Sequence, residues 1–320
     1  MKSTHKKSIS TKRLSAFSLL FAALLAGTFY VSSNKVSANH PVFVEGNCDS
    51  PVPGTTLVSP GTCGDFDGDG RIGTAEDTDG ADRIFGTLNA ALGPGTGAAA
   101  GTGANFNGTI TIVANGRFAE TLFIGQSGFF PGQGTANPGN VTIEAAPGVN
   151  AEIDAVLQGD PAGGNTSRQN SIGIFILYPA GFNGMVTLRN LTIRNFAEGV
   201  AAALSSRVNI DRCRIENNIN FGIHLIDNSL LTLTNSTVTA NGRRIAGGVS
   251  NTATPGHGLA ADGAGTQVRI SDTTFAHNVG AGISAGGPAS NVVLFKVGTY
   301  FNGTNIAGAV TTAPNPNSAN

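Results

Sequence analysis

The chain has 320 residues, 40% of them hydrophobic and only 12% charged, with 19 basic residues against 20 acidic and a formal net charge of −1. Six of the basic residues precede Asn39 and every acidic one follows it, so without the first 38 residues the balance is 13 against 20, a net charge of −7. That sign argues against a nucleic-acid partner, whose binders carry basic patches.

Residues 1–38 read as a signal peptide. Lys2, Lys6, Lys7, Lys12 and Arg13 form a basic start, and Leu14 to Val31 is an apolar run. Val36-Ser37-Ala38 offers the small residues that signal peptidase requires, which places cleavage before Asn39. An uncleaved anchor is the alternative, since the run approaches spanning length. After cleavage no stretch is apolar enough to cross a bilayer, and a secreted or cell-surface location is expected.

Residues 39–105 hold four features. Asn39 to Cys63 is rich in Pro and Gly and reads as a loop, with Cys48 and Cys63 spaced for a disulfide in an oxidising compartment. Asp65 to Glu76 (DFDGDGRIGTAE) follows, and it resembles the EF-hand calcium loop. Asp65, Asp67 and Asp69 occupy positions 1, 3 and 5, so alternate carboxylates converge on one hard cation. Gly70 makes the sharp turn, the Arg71 carbonyl supplies position 7, and Glu76 closes position 12 with two oxygens. Related dockerin loops end in Asp, so Glu76 is closer to the EF-hand form. One loop alone implies a structural Ca2+ ion. Third, Asp82 to Leu92 has apolar residues at Ile84, Phe85, Leu88, Ala91 and Leu92, a helical spacing. Gly93 to Asn105 is a Gly/Ala-rich linker.

Residues 106–308 alternate apolar and polar residues in short segments. Thr109–Glu120 and Asn140–Ala155 open the region, and from Val186 one pattern recurs five times. Its copies are VTLRNLTIRNF from Val186, VNIDRCRIENN from Val208, LTLTNSTVTAN from Leu231, VRISDTTFAHN from Val268 and VLFKVGTYFNG from Val293. Aligned on Ile193, Ile215, Val238, Phe275 and Tyr300, they are spaced by 22, 23, 37 and 25 residues. A period of that size signals a solenoid, and period-two alternation inside each copy signals strands. Inward columns are predicted at Val186/Val208/Leu231/Val268/Val293, at Leu188/Ile210/Leu233/Ile270/Phe295 and at the five anchors. Asn218, Asn241 and Asn278 stand three residues after their anchors, where Asn suits a left-handed turn and amides can bond along the stack. Gly199, Gly222, Gly258 and Gly282 then start a further strand each. The 242–257 excursion explains the spacing of 37, and 309–320 reads as a disordered tail.

These residues resemble the right-handed parallel β-helix superfamily, which includes pectate lyases and secreted parallel β-helix repeat proteins. The resemblance runs from about Phe85 to Gly303. It implies an all-β solenoid with a short capping helix at its N-terminal end. The Gly116-Arg-Phe-Ala-Glu120 turn is similar to the G-x-Y-x-E turn seen there, which gives Glu120 a structural role near the cap.

The fold hosts many chemistries, so function must come from side chains. Arg189 with Asp211, and Arg194 with Glu216, fall in shared columns of adjacent coils and read as cross-strand ion pairs. Cys213 lies inside the repeat and reads as a buried small apolar residue. The catalytic candidates are His224 and Asp227, together with Arg243, Arg244, His257 and Asp262 on and around the excursion. A His with carboxylates there could do acid–base work on a sugar. Two functions fit: a calcium-stabilised binding or scaffold module for glycan or extracellular matrix, or a calcium-dependent polysaccharide lyase, hydrolase or epimerase acting on an acidic polysaccharide.

Overall fold

The computed structural model describes residues 42–44, 56–57, 71–72, 83–85, 87–92, 108–125, 139–156, 171–178, 180–181, 183–242, 256–286 and 290–312. Residues 1–38, Cys48, Cys63, the carboxylates of the expected calcium loop, Arg243 and Arg244 lie outside these residues.

Each repeat becomes one triangular coil of a right-handed parallel β-helix. A coil contributes one strand to each of three sheets, as in Met185–Arg189 (sheet 1), Leu191–Arg194 (sheet 2) and Glu198–Leu204 (sheet 3). Sheets 2 and 3 have seven strands each and sheet 1 has ten. Two of the coils are those expected at Thr109–Glu120 and Asn140–Ala155. Within sheets 1, 2 and 3 the coil-to-coil pairing is parallel, so equivalent residues stack at about 4.8 Å.

Inward columns hold the fold together. Ile193, Ile215, Val238 and Phe275 sit in one register across sheet 2, each 0% exposed. Val186, Val208, Leu231 and Val268, and Leu188, Ile210, Leu233 and Ile270, stack likewise in sheet 1. The fifth copy is displaced by one residue from the expected alignment. Val268 pairs with Val292, Ile270 with Leu294 and Phe275 with Thr299, so Val292 and Leu294 are buried while Val293 and Phe295 face outward. Tyr300 is 56% exposed. A one-residue slip exchanges the two faces of a strand, and the Val292-Val293 pair disguised it.

The corrected register adds Asn302 to the asparagine column. Asn218 N–H and Nδ2 donate to Asn241 Oδ1 at 3.1 and 3.0 Å. Asn241 repeats the pattern on Asn278, and Asn278 repeats it on Asn302. Phe196 replaces Asn at the start of the column and donates its N–H to Asn218 Oδ1. The left-handed residues are not these asparagines but their predecessors: Asn217, Ala240, His277 and Phe301 have φ between 52° and 57°. The turn supplies the handedness, and the following Asn side chain turns inward to bond along the stack.

Three segments at the ends differ from expectation. Val42–Val44, within the expected loop, is a strand between Gly108–Ile112 and Arg83–Phe85. Arg83–Phe85 is itself extended, so the helix is confined to Leu88–Leu92. Helical spacing of Ile84 and Phe85 was overridden by pairing to an open sheet edge. Val310–Thr312, within the expected tail, pairs with Val292–Leu294 and extends sheet 1. The helix is tied to the first coil by Glu120, whose carboxylate accepts the N–H groups of Leu88 at 2.9 Å and Asn89 at 2.7 Å. This is the structural role expected of that residue. The excursion leaves at Gly242 and returns at Gly256, where the two backbones touch: a Cβ on Gly256 would lie 2.5 Å from Gly242 Cα.

Candidate functional site

Five successive sheet 3 strands carry a glycine at their second position, which fixes what lies beside it. Glu198, Phe221 and His257 each precede such a glycine and stack in three successive coils. His224, two residues after Gly222, stands in the neighbouring column between Ala201 and Ala260. Its ring is held from both sides. Nδ1 lies 3.2 Å from Glu198 Oε2, one coil before, and Nε2 lies 3.3 Å from Asp262 Oδ2, one coil after. The Phe221 ring centroid is 4.4 Å from that of His224 and 5.9 Å from that of His257.

The two histidines differ in charge. Burial alone would depress the His224 pKa, but hydrogen bonds to Asp262 and Glu198 outweigh it and raise the value to about 9. His224 is therefore an imidazolium at neutral pH. His257 goes the other way, lowered chiefly by burial, with the neighbouring His224 cation adding to the effect. Its Nδ1 accepts the Ala281 N–H at 2.7 Å, which requires a free lone pair there and suits the neutral ring.

Three of the expected catalytic residues thus converge: His224, His257 and Asp262. Asp227 lies in an exposed left-handed turn with φ 40°, its backbone against Gly263 beside Asp262, but among the described residues no hydrogen bond or ion pair joins its carboxylate to the cluster. Glu198 and Phe221 complete the cluster, and sequence reading passed over both. Their signal was position, since each directly precedes a glycine of the repeat.

The charged columns of sheets 1 and 2 form a network. Arg189 and Asp211 share a column, as do Arg194 and Glu216, each pair 3.6 Å apart. Closer partners lie one coil earlier: Arg189 to Glu144 at 2.8 Å, and Arg194 to Glu152 at 2.6 Å and Asp154 at 2.9 Å. Asp154 is 1% exposed and also accepts from Asn195 Nδ2 and the Val156 N–H. These groups neutralise one another, as expected of structural ion pairs. Cys213 is buried, and desolvation pushes its thiol up to about 12, in line with a packing role.

Sheet 1 holds a different arrangement that sequence reading also missed. One outward column runs Met185, Arg207, Leu230, Gln267, Asn291, and the next runs Thr187, Asn209, Thr232, Arg269, Val293. No carboxylate stands in either. Among the described residues Arg207 and Arg269 are exposed and have no acidic partner, whereas Arg117, Arg189, Arg194, Arg212 and Arg214 are all paired. Arg207 borders a hollow of about 300 Å³ that Asn183, Ser205, Asn228 and Gln267 also line.

The expected calcium ligands Asp65, Asp67, Asp69 and Glu76 lie outside the described residues. The backbone of Arg71–Ile72, positions 7 and 8 of that loop, is extended and pairs antiparallel with Thr56–Leu57. Among the described residues no three His, Cys, Asp or Glu side chains are placed to hold a metal ion.

Residues 139–297 match the family model described as a right handed beta helix region. No curated protein matches the chain. Among solved structures, that of the pectate lyase Pel9A is similar over 66% of this chain and 72% of that one, at 13% identity and a TM-score of 0.34.

Proposed function

We propose that this right-handed β-helix is an exported binding module for an acidic glycan or matrix polymer, which it holds along the outer face of sheet 1. The observation that carries the reading is the pair Arg207 and Arg269: two exposed guanidinium groups, on columns free of carboxylates, whereas Arg117, Arg189, Arg194, Arg212 and Arg214 are spent on acidic partners. An unpaired guanidinium on a rigid strand is preorganised for a carboxylate or sulfate. The chain's overall negative charge makes this local face the electrostatic exception. Amide and hydroxyl groups of Asn183, Ser205, Asn209, Thr232 and Gln267 supply hydrogen bonds around it. The calcium loop stabilises the N-terminal end, with Asp65, Asp67, Asp69, the Arg71 carbonyl and Glu76 as ligands, and Cys48–Cys63 closes the loop before it. In the polysaccharide lyase, hydrolase or epimerase alternative His224 itself could not serve as the base, because both of its nitrogens are engaged by carboxylates.

The test is binding of polygalacturonate and, as a neutral control, dextran to the secreted protein over a salt series. Polygalacturonate should bind and dextran should not, and affinity should fall with salt. The double variant Arg207→Ala/Arg269→Ala should weaken binding by at least about tenfold, the equivalent of 1.4 kcal/mol. Equal binding by wild type and the double variant refutes the proposal. Formation of unsaturated product at 235 nm, abolished by His224→Ala, would turn the reading to the enzyme.

A further inference from the structure

The corner between sheets 2 and 3 carries a column of left-handed residues: Asn195, Asn217, Ala240, His277 and Phe301. Asn is the residue suited to that conformation, and a bulky aromatic is an outlier in it. The last two positions nevertheless hold rings. Phe301 is 81% exposed at φ 52°, so burial does not compensate the strain. Its ring stacks on His277 with centroids 5.3 Å apart and planes within 9° of parallel. The corner turn sets that φ in every coil, so what is particular to Phe301 is an exposed aromatic ring at a position that suits Asn.

The preceding residue carries a second exposed ring. Tyr300 faces outward from sheet 2 at 56% exposure, and it lies back over Gly298: a Cβ at that glycine would come within 2.6 Å of the ring. Sheet 2 changes character along the stack. Its early coils expose Arg117, Glu152, Arg194 and Arg214, while the outward positions nearest Tyr300 are uncharged Thr239, Ala276, Thr274 and Gly298. The outward sheet 2 positions beside Tyr300 are therefore neutral and include two threonines, and the opposite charges of Lys296 and Asp272 face each other at the sheet's border.

We infer that Phe301, stacked on His277, and Tyr300 form a binding site for an uncharged pyranose unit of a polysaccharide. The C–H face of a sugar ring lies flat on an aromatic face, and its hydroxyls meet threonine hydroxyls and turn amides at the rim. This site is separate from the arginine face of sheet 1 and does not depend on it.

The chain has no Trp and three Tyr, and of these Tyr178 is 0% exposed while Tyr30 lies in the segment removed on export. Tyr178 adds a constant background, so a change in tyrosine fluorescence on adding sugar reports on Tyr300. Titration with cellohexaose and maltohexaose should give a saturable change with at least one of them. Calorimetry with that sugar should show binding lost in Phe301→Asn and Tyr300→Ala and kept in Arg207→Ala/Arg269→Ala. Phe301→Asn should melt at or above the wild-type temperature, because Asn relieves the backbone strain. A stable Phe301→Asn protein that still binds the sugar overturns the inference, as does absence of binding by wild type to both sugars. Sedimentation showing a wild-type dimer that Phe301→Asn dissociates would assign the patch to a second copy of the chain and would equally overturn it.

Discussion

Asn241→Ala tests the asparagine column at its centre. The side chain is 0% exposed, and its Oδ1 accepts from Asn218 N–H at 3.1 Å and Asn218 Nδ2 at 3.0 Å. Its Nδ2 donates to Asn278 Oδ1 at 2.9 Å and to the Ile215 carbonyl at 3.4 Å. Truncation leaves two buried donors on Asn218 without an acceptor. At about 1–3 kcal/mol for each orphaned group, the loss is about 2–6 kcal/mol. The adjacent substitution Ala240→Gly is the control. Ala240 has φ 56°, which glycine adopts freely, so this change should be neutral or stabilising by up to about 1 kcal/mol. Urea unfolding followed by far-UV circular dichroism gives the totals. Amide exchange locates them, because a solenoid loses stability first where neighbouring coils separate. Faster exchange should centre on Phe221–Leu225 and Leu230–Thr234. A destabilisation below about 0.5 kcal/mol, or one spread evenly over all coils, refutes the idea that the column holds the corner.

Four further outcomes are expected. Ile215→Asp should unfold the middle coils, since it places an unpaired charge at a 0% exposed position; a melting curve unchanged from wild type would contradict the inward assignment. His224 has a folded pKa of about 9 against an ordinary value of about 6.5, so its contribution to stability is complete below pH 6.5 and is lost as pH rises through 9; His224→Gln should flatten the stability profile between those limits. In NMR titration the His224 ring should titrate near pH 9 and the His257 ring below its ordinary range, and coincident midpoints would exclude the carboxylate clamp. Chelation should lower the melting temperature of the protein, and Asp69→Ala should remove that response; a wild-type melting curve insensitive to chelator would exclude a stabilising calcium loop.

The coil fold was legible because one physical constraint repeats. A residue such as Ile215 is apolar in every copy since its column is dry in every coil. Register failed only in the last coil, where the outward residues Val293 and Tyr300 are as apolar as the inward ones and periodicity loses its contrast. The ends were less legible. Arg83–Phe85 and Val310–Thr312 are strands because a sheet edge is there to pair with, which is a long-range fact that local spacing does not carry. The same holds for the His224 cluster. Glu198, His224 and Asp262 are 26 and 38 residues apart in sequence and meet only because coils stack. Arg207 and Arg269 became conspicuous through what they lack, and the partners of a surface arginine can be counted only after its neighbours are known.

The contact between Gly242 and Gly256 has a practical reach. Thirteen residues begin and finish at a single point on the corner, so the turns of the spiral before and after them keep their pitch whatever that stretch contains. Such a place is a natural socket: its contents can be lengthened, shortened or exchanged for a foreign peptide without disturbing the rod. A family of variants could in this way differ in what they carry at that corner while remaining one rigid body.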